Sequence, residues 1–355
     1  MYFLETQTAF VKFGQFLTYY LNNDYQSIDS IALEDYIGFK QACTNAFQSN
    51  AWFTEKNIDY ALVQWAKVLT EENLKKWLDQ YKSLIGSDQG SNIGVVLAGN
   101  LPIVGFHDFL CVLSSGNNFI GKLSSSDKYL LPAIAEILVK IEPQFKNKIK
   151  FTDERLTNFD AIIATGSNNS ARYFEYYFAK FPHIIRKNRN GVAVLTGEEK
   201  RLDLLAEDIL RYFGLGCRNV SKLYVPQGYK FDELLGSMEQ FEWISNHHKY
   251  RNNYDYNKSI LLVNRVPHFD NGFVLLREES SISSPISVVH YEYYKDVEEL
   301  NDSLDSQSEF IQCIISEDRS VKKSLFPGQS QQPNLWDYAD GIDTMEFLLA
   351  LPLKK

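Results

Sequence analysis

No run of apolar residues in this chain approaches the roughly 20 needed to cross a bilayer, so no membrane span is expected. Long basic runs are missing too. With 36 Lys and Arg against 45 Asp and Glu the formal net charge is -9, and nucleic acid is not an expected partner. Cysteine is scarce. Cys43, Cys111, Cys217 and Cys313 stand far apart, with no CxxC pair and no metal-holding spacing. Met1-Tyr2-Phe3-Leu4-Glu5 has no basic n-region and meets an acid at once, so no signal peptide is read there and a reduced, cytoplasmic protein is expected. Internal repeats, low-complexity stretches and a GxGxxG fingerprint are also missing.

What remains is the composition of an ordinary globular protein, 45% hydrophobic and 23% charged over 355 residues, a length that predicts two domains. Residues 1 to about 88 read as a helical layer, with Phe10, Phe13, Phe16, Leu17 and Tyr20 at helical spacing and a longer pattern from Ile58 to Leu84. Gly86 to Asn92 is a loop by composition. Strands and helices then alternate. The apolar strand Ile93 to Ala98 runs into Gly99-Asn100-Leu101-Pro102 and a helix through Phe106 to Leu113. Asn118 to Leu123, ending in Lys122, precedes a helix from Asp127 to Ile141. Ala161 to Ala164 runs into Thr165-Gly166-Ser167 and a further helix. Strand, polar glycine turn and helix, three times over, predict a doubly wound sheet with its ligand at the C-terminal strand ends. Gly166-Ser167 at a helix start suits a phosphate, though most such turns are only turns.

His183 to Arg189 is the densest basic patch. A helix is predicted from Glu198 to Phe213, stopped by Gly214 and Gly216, and a strand begins at Lys222. Cys217 therefore falls on a tight helix-to-strand turn, where a substrate carbonyl has access to its sulfur. The commoner fate of a lone cysteine is a small buried side chain, and spacing alone favours that. Asn246 to Asn253, with its paired histidines, reads as a solvated loop rather than a metal site. Strands are predicted at Ile260 to Val263, Phe273 to Leu276, Ile286 to Tyr291 and Phe310 to Ile315, with Cys313 inward and structural. The tail from Tyr338 to Leu348 reads as a turn and a docking helix.

Taken in order, several motifs resemble the aldehyde dehydrogenase superfamily, and more closely its fatty acyl-CoA reductase (LuxC-type) branch. Gly99-Asn100-Leu101-Pro102 resembles Trp-Asn-Phe-Pro, and Gly116-Asn117 with Lys122 and Ser124 resembles Gly-Asn…Lys-Pro-Ser. Thr165-Gly166-Ser167 resembles Thr-Gly-Ser, Gly214-Leu215-Gly216-Cys217 resembles Gly-Gln-x-Cys, and the tail from Asp340 to Leu348 is similar to that of the reductase branch. The resemblance implies an α/β, aldehyde dehydrogenase-like fold. A helical N-terminal layer and a doubly wound cofactor domain would take residues 1–190, a smaller α/β catalytic domain 191–330, and a docking tail 331–355. It implies that Cys217 is the nucleophile, with the Asn100 amide and the Cys217 N–H as oxyanion hole. Arg218, beside the sulfur, would lower its pKa. Lys122, Ser124, Ser125, Gly166, Ser167 and Glu279 would bind cofactor, Glu278 and Glu279 matching the family's Glu-x-Phe-Gly-Pro only loosely.

The family's Glu-Leu-Gly-Gly segment, whose glutamate activates the deacylating water, is here Asn188-Arg189-Asn190-Gly191. A site without that base suits reduction or acyl transfer better than aldehyde oxidation. Where members preferring NAD place a ribose-binding glutamate this chain has Ser125, so NADPH is the expected cofactor. The implied reaction is NADPH-dependent reduction of an acyl-CoA or acyl carrier thioester to the aldehyde, with a homo-oligomer and an acyl-activating enzyme as implied partners. A cysteine acyltransferase or thioesterase without nicotinamide would need a base, His183 or His290. A non-catalytic dinucleotide-binding protein of the same fold is the remaining alternative.

Overall fold

The computed structural model describes residues 2–25, 28, 30–82 and 90–351. Most of the loop expected over Gly86–Asn92, and the end of the pattern at Leu84, lie outside the described residues. The chain divides into two compact units, Met1–Lys187 with Asn334–Lys355, and Asn188–Pro333.

In the first unit four helices come before any strand: α1 (Tyr2–Leu21), α2 (Leu33–Ser49), α3 (Glu55–Val68) and α4 (Glu71–Leu78). Thr54 and Thr70 cap α3 and α4 by accepting from the N–H groups of Asn57 and Asn73. Phe10, Phe13 and Phe16 on α1 are completely buried, as their helical spacing predicts. The first two pack on Phe106, with ring centroids 6.3 and 5.8 Å away. Phe106 begins α5 (Phe106–Ser114), which follows β1 (Asn92–Val96). Next come β2 (Asn118–Lys122), α6 (Leu130–Ile141), β3 (Ile149–Thr152), β4 (Ala161–Thr165), α7 (Asn168–Phe178) and β5 (His183–Arg186). The five strands are parallel, in the order β3-β2-β1-β4-β5. The chain leaves β1 toward one edge through β2 and toward the other through β4. The C-terminal ends of β1 and β4 therefore form a topological switch point, where α/β sheets bind ligands.

Two elements here went unpredicted. β3 is four residues long, and β5 occupies what reads as a basic patch. Arg186 is 5% exposed because its guanidinium pairs with Asp108 of α5, which is 6% exposed. A charge counted as surface is inside.

The second unit is a seven-stranded sheet, ordered β12-β11-β6-β7-β10-β9-β8. In chain order its elements are β6 (Asn190–Val194), α8 (Leu202–Leu210), β7 (Val220–Pro226), α9 (Asp232–Met238), α10 (His248–Val263), β8 (Phe269–Asp270), β9 (Leu275–Glu278), β10 (Val288–Tyr294), α11 (Val297–Ser306), β11 (Ile311–Ile315) and β12 (Ser324–Leu325). All pairings are parallel except β8 with β9. The strand expected at Ile260–Val263 is the last turn of α10, and the expected loop Asn246–Asn253 enters that helix. His247 caps it by accepting from the Tyr250 N–H, and buried Tyr250, Tyr254 and Leu261 keep one helical face. A short β-branched run does not distinguish a strand from a helix end. The predicted helix Glu198–Phe213 is also shorter, ending at Leu210.

The chain then returns to the first unit, where α12 (Thr344–Leu349) closes it. Trp77 Nε1 donates to the Tyr338 hydroxyl (2.7 Å), Tyr81 donates to Asp343 (2.6 Å) and Arg186 to the Thr344 hydroxyl (2.9 Å).

Candidate active site

The turn carrying Cys217 is the most constrained stretch of backbone in the second unit. After α8, Tyr212, Phe213 and Gly214 take φ of 55°, 59° and 74° in succession. Left-handed backbone costs a residue with a side chain roughly 1–2 kcal/mol. Burial offsets it. The Phe213 ring lies 4.5 Å from the His247 ring and 5.9 Å from Tyr250. The structure corrects the expectation that Gly214 and Gly216 alone end the helix: two aromatic residues are left-handed first, and Gly216 is absent from the positive-φ positions.

Gly216-Cys217-Arg218-Asn219 is a β-turn closed by the Asn219 N–H on the Gly216 carbonyl (3.0 Å). The Asn219 side chain, 1% exposed, accepts from the Gly216 N–H (2.8 Å) and donates to the carbonyls of Asp208, Ile209 and Arg211. Those carbonyls lie in the last turn and at the C-cap of α8. One buried amide thus caps the helix and ties the cysteine turn to it. A Cβ on Gly191 of β6 would stand 2.8 Å from the carbonyl oxygens of Arg218 and Asn219, so the sheet approaches the turn as closely as glycine allows.

Among the four cysteines Cys217 stands apart. Cys43, Cys111 and Cys313 are buried, and burial pushes Cys43 up to about 11, Cys313 to about 12 and Cys111 well upward. Such thiols are inert at neutral pH. Cys217 is half-buried. Behind the turn, Arg218 Nε donates to the Ser330 carbonyl, and Cys313 Sγ lies 3.6 Å from the Arg218 carbonyl.

In the first unit, the other expected site residues gather at the C-terminal ends of the strands. Asn100 is exposed on the loop after β1, Lys122 ends β2, and Ser124, Ser125 and Ser126 form the turn beyond it. The two loops touch. A Cβ on Gly99 would lie 2.4 Å from Ser124 Oγ. Asp127 fixes the pair from behind, its carboxylate accepting from the N–H groups of Ile103 and Leu130, with burial pushing its pKa up to about 6. Lys122 Nζ donates to the carbonyls of Asp153 (3.1 Å) and Glu154 (3.0 Å), which hold it at the end of β3. Gly166 follows β4, and Ser167 caps α7 by accepting from the Ser170 N–H (3.3 Å). A Cβ on Gly166 would stand 2.9 Å from Ser170 Cβ and 3.0 Å from the Phe174 ring.

Glu279 is not brought to Cys217. It follows β9, beyond the level of Leu223 in the register β9-β10-β7, whereas Cys217 precedes Val220. That is at least about 13 Å along the strands and two strand spacings sideways. Its carboxylate pairs with Arg277, and this hydrogen bond lowers its pKa. His290 is not at the sulfur either, since it pairs in register with Lys222, five residues past Cys217, and one ring nitrogen meets the Ser281 carbonyl (2.8 Å). His183 is exposed at the start of β5, the end of that sheet opposite Thr165. Among the described residues no His, Cys, Asp and Glu group fit to hold a metal is present, and no helix is long and apolar enough to cross a membrane.

Comparison with solved structures identifies the architecture. Aldehyde dehydrogenase 21 of Physcomitrella patens, solved with its reaction product succinate, superposes with a TM-score of 0.65 at 12% identity, over 98% of this chain and 84% of its own. An NAD-dependent aldehyde dehydrogenase of Sinorhizobium meliloti gives 0.61 at 12% identity, over 92% and 74%. An E. coli NADP-dependent enzyme gives 0.57 at 12% identity, over 88% and 74%. The fold is that of the aldehyde dehydrogenases. No curated protein sequence matches the chain. The family model for acyl-CoA reductase (LuxC) matches residues 12–238, and the chain belongs to that family. It is an oxidoreductase acting on the acyl or aldehyde group. The match takes in most of the helical layer, which the motifs alone had left aside, along with Asn100, Lys122, Gly166 and Cys217, and it stops before Glu279 and the tail.

Proposed function

We propose that this enzyme reduces a fatty acyl-CoA, or an acyl carrier thioester, to the aldehyde with NADPH through a thioester on Cys217. The observation that carries the reading is the Cys217 turn, which presents the one cysteine that is not buried on an over-determined backbone. As thiolate, Cys217 attacks the substrate carbonyl. The carbon–sulfur bond to the carrier breaks, the carrier thiolate leaves and takes up a proton, and the acyl group stays on the enzyme. The Asn100 amide and the Cys217 N–H are the donors assigned to the oxyanion.

The residues at the switch point of the first sheet fit a dinucleotide. Gly166 lets the end of β4 pack closely on α7, since a Cβ there would stand 2.9 Å from Ser170 Cβ, and the helix N-terminus begins directly beyond it. NADPH supplies the hydride when bound. Gly166 and Ser167 would take its pyrophosphate at the start of α7, and Lys122, Ser124 and Ser125 the adenosine ribose. At the ribose position the chain offers Ser125 where a carboxylate would repel a 2′-phosphate, which favours NADPH over NADH. Glu279 is left out of the assignment. In this reading residues 1–190 bind cofactor, 191–330 carry the nucleophile and 331–355 dock as a tail, in a cytoplasmic enzyme. A homo-oligomer and an acyl-activating partner enzyme belong to the same reading, tested by light scattering of the purified protein and by co-purification.

The deciding experiment follows NADPH consumption and CoA release with medium- and long-chain acyl-CoAs. Wild type should turn over, and Cys217→Ala should lose at least about a thousandfold in rate. CoA release without NADPH consumption would instead favour an acyltransferase or thioesterase. Neither signal at any chain length would leave a non-catalytic binding protein.

A further inference from the structure

Helix α10 carries two apolar faces. Tyr250, Tyr254 and Leu261 are buried, and the last two pack with Leu275 of β9 and Val288 of β10. On the outer side Tyr256 is 66% exposed, Ile260 38%, Leu262 58% and Val263 81%. Tyr256, Ile260 and Val263 recur at i, i+4 and i+7, so they stand in one stripe, and Leu262 borders it across Ser259. One apolar face is enough to seat a helix on a sheet, and the second is surplus to that packing. The four side chains leave on the order of 400 Å² of surface in water, the size at which an exposed apolar patch marks a contact site.

We infer that this stripe is the surface through which two copies of the chain pair, α10 of one against α10 of the other about a two-fold axis. The inference rests on the homo-oligomer reading above, to which it gives a surface, and is independent of the Cys217 assignment. Charge selects the occupant. From Asp255 to Val263 the only charged residues are Asp255 and Lys258, and both are paired within the molecule, Asp255 with Arg251 (3.1 Å) and Lys258 with Asp270 (2.7 Å). Lys249 and Arg265 stand beyond the two ends of the stripe. A two-fold contact sets a surface against its own copy, so an excess of either sign within it would repel. An anionic lipid surface, or a protein of opposite charge, calls for such an excess. This stripe has none. In an antiparallel pair Tyr256 of each copy meets Val263 of the other, with Ser259 and Ile260 between them. The area agrees, since it is about half of the roughly 800 Å² that each partner buries in a standard interface, the remainder being a polar rim. The first turn of α10 lies at Phe213, whose ring is 5.9 Å from Tyr250, and Val263 is about 20 Å further along the helix. The contact is therefore made at the end of α10 away from the cysteine turn.

The test is sedimentation velocity of the full chain over a range of micromolar concentrations, for wild type, Tyr256→Glu, Val263→Lys and an equal mixture of the two variants. Wild type should be a dimer, and each variant alone should dissociate at least about a hundredfold more readily, because pairing would bury an unpaired charge. The mixture should pair again, since the new carboxylate of one copy then meets the new ammonium of the other. Far-UV circular dichroism should be the same throughout, both positions being exposed. If either charged variant does not fold, the double variant Tyr256→Ala with Val263→Ala carries the same comparison. Variants that dimerise as wild type does overturn the surface and leave the oligomer reading standing. A mixture that stays monomeric overturns the pairing. Wild type that is monomeric at every concentration overturns the inference and the oligomer reading together, and its sedimentation with vesicles of phosphatidylcholine and phosphatidylglycerol would assign the stripe to a lipid surface instead.

Discussion

The cysteine turn of the second unit and the strand-end loops of the first are built in opposite ways. Around Cys217 almost every backbone group is committed: Asn219 bonds on both faces of its amide, Gly191 lies against the turn from below, and Tyr212 and Phe213 are held in left-handed backbone. The loops carrying Asn100, Ser124 and Ser125 are held by Asp127, by the contact of Gly99 with Ser124 and by Asn50 Nδ2 donating to the Ser126 carbonyl (3.2 Å), while Asn100 and Ser125 face solvent. A nucleophile must meet a carbonyl at one angle, and misplacement by an ångström is expensive in rate. A cofactor that enters and leaves each turnover needs a surface that opens to solvent. In the proposed reading the contrast separates the residue that makes the bond from the loops that stabilise the oxyanion and hold the cofactor.

Variants sharpen or break that contrast. The largest effect is expected of Asn219→Ala, which removes the buried hydrogen bonds to the Gly216 N–H and to the carbonyls of Asp208, Ile209 and Arg211. Unfolding in urea should show a loss of about 2–4 kcal/mol, alongside loss of Cys217 reactivity. A variant as stable as wild type would show that the turn is not held by this amide. In the proposed reading Asn100→Ala should lower turnover about a hundredfold while the melting temperature changes little, because the side chain is exposed and its assigned part is to stabilise the developing oxyanion. A large drop in melting temperature would place Asn100 among the structural residues. The smallest effect belongs to Ser125→Glu, which should move the ratio of kcat/KM for NADPH over NADH about tenfold toward NADH. An unchanged ratio would remove this turn from the ribose site.

The sequence exposes the features that are local. The strand, glycine turn and helix repeats around Gly99, Lys122 and Gly166 are periodic signals, and each is where periodicity puts it. Cys217 falls on a turn because glycines and a strand start surround it. Hidden from the sequence are features whose partners are far away. Arg186 counts as surface until Asp108, 78 residues earlier, neutralises it inside. Asp208 is an ordinary acid on a helix until Ser330 arrives at its carboxylate. Ile260–Val263 has the β-branched character of a strand, and only the cap at His247 and the face of Tyr250 and Tyr254 make it a helix end. Glu279 matches the family's motif by residue type alone. The register of β9, β10 and β7, which no local window contains, sets it at the far end of the sheet from Cys217.

The first unit is made of two separated pieces of chain, and the second of one continuous piece, Asn188–Pro333. On the ribosome this sets an order of completion. All the strands of the Cys217 sheet have been synthesised before Tyr338, Asp343 and Thr344 exist to meet Trp77, Tyr81 and Arg186. The first unit therefore stays without α12 until the end of synthesis, when every strand of both sheets has already been made. A chain ended just past Pro333 would keep every strand of both sheets and lose only the tail that meets Trp77, Tyr81 and Arg186, so the last helix completes the first unit and adds nothing to the second sheet.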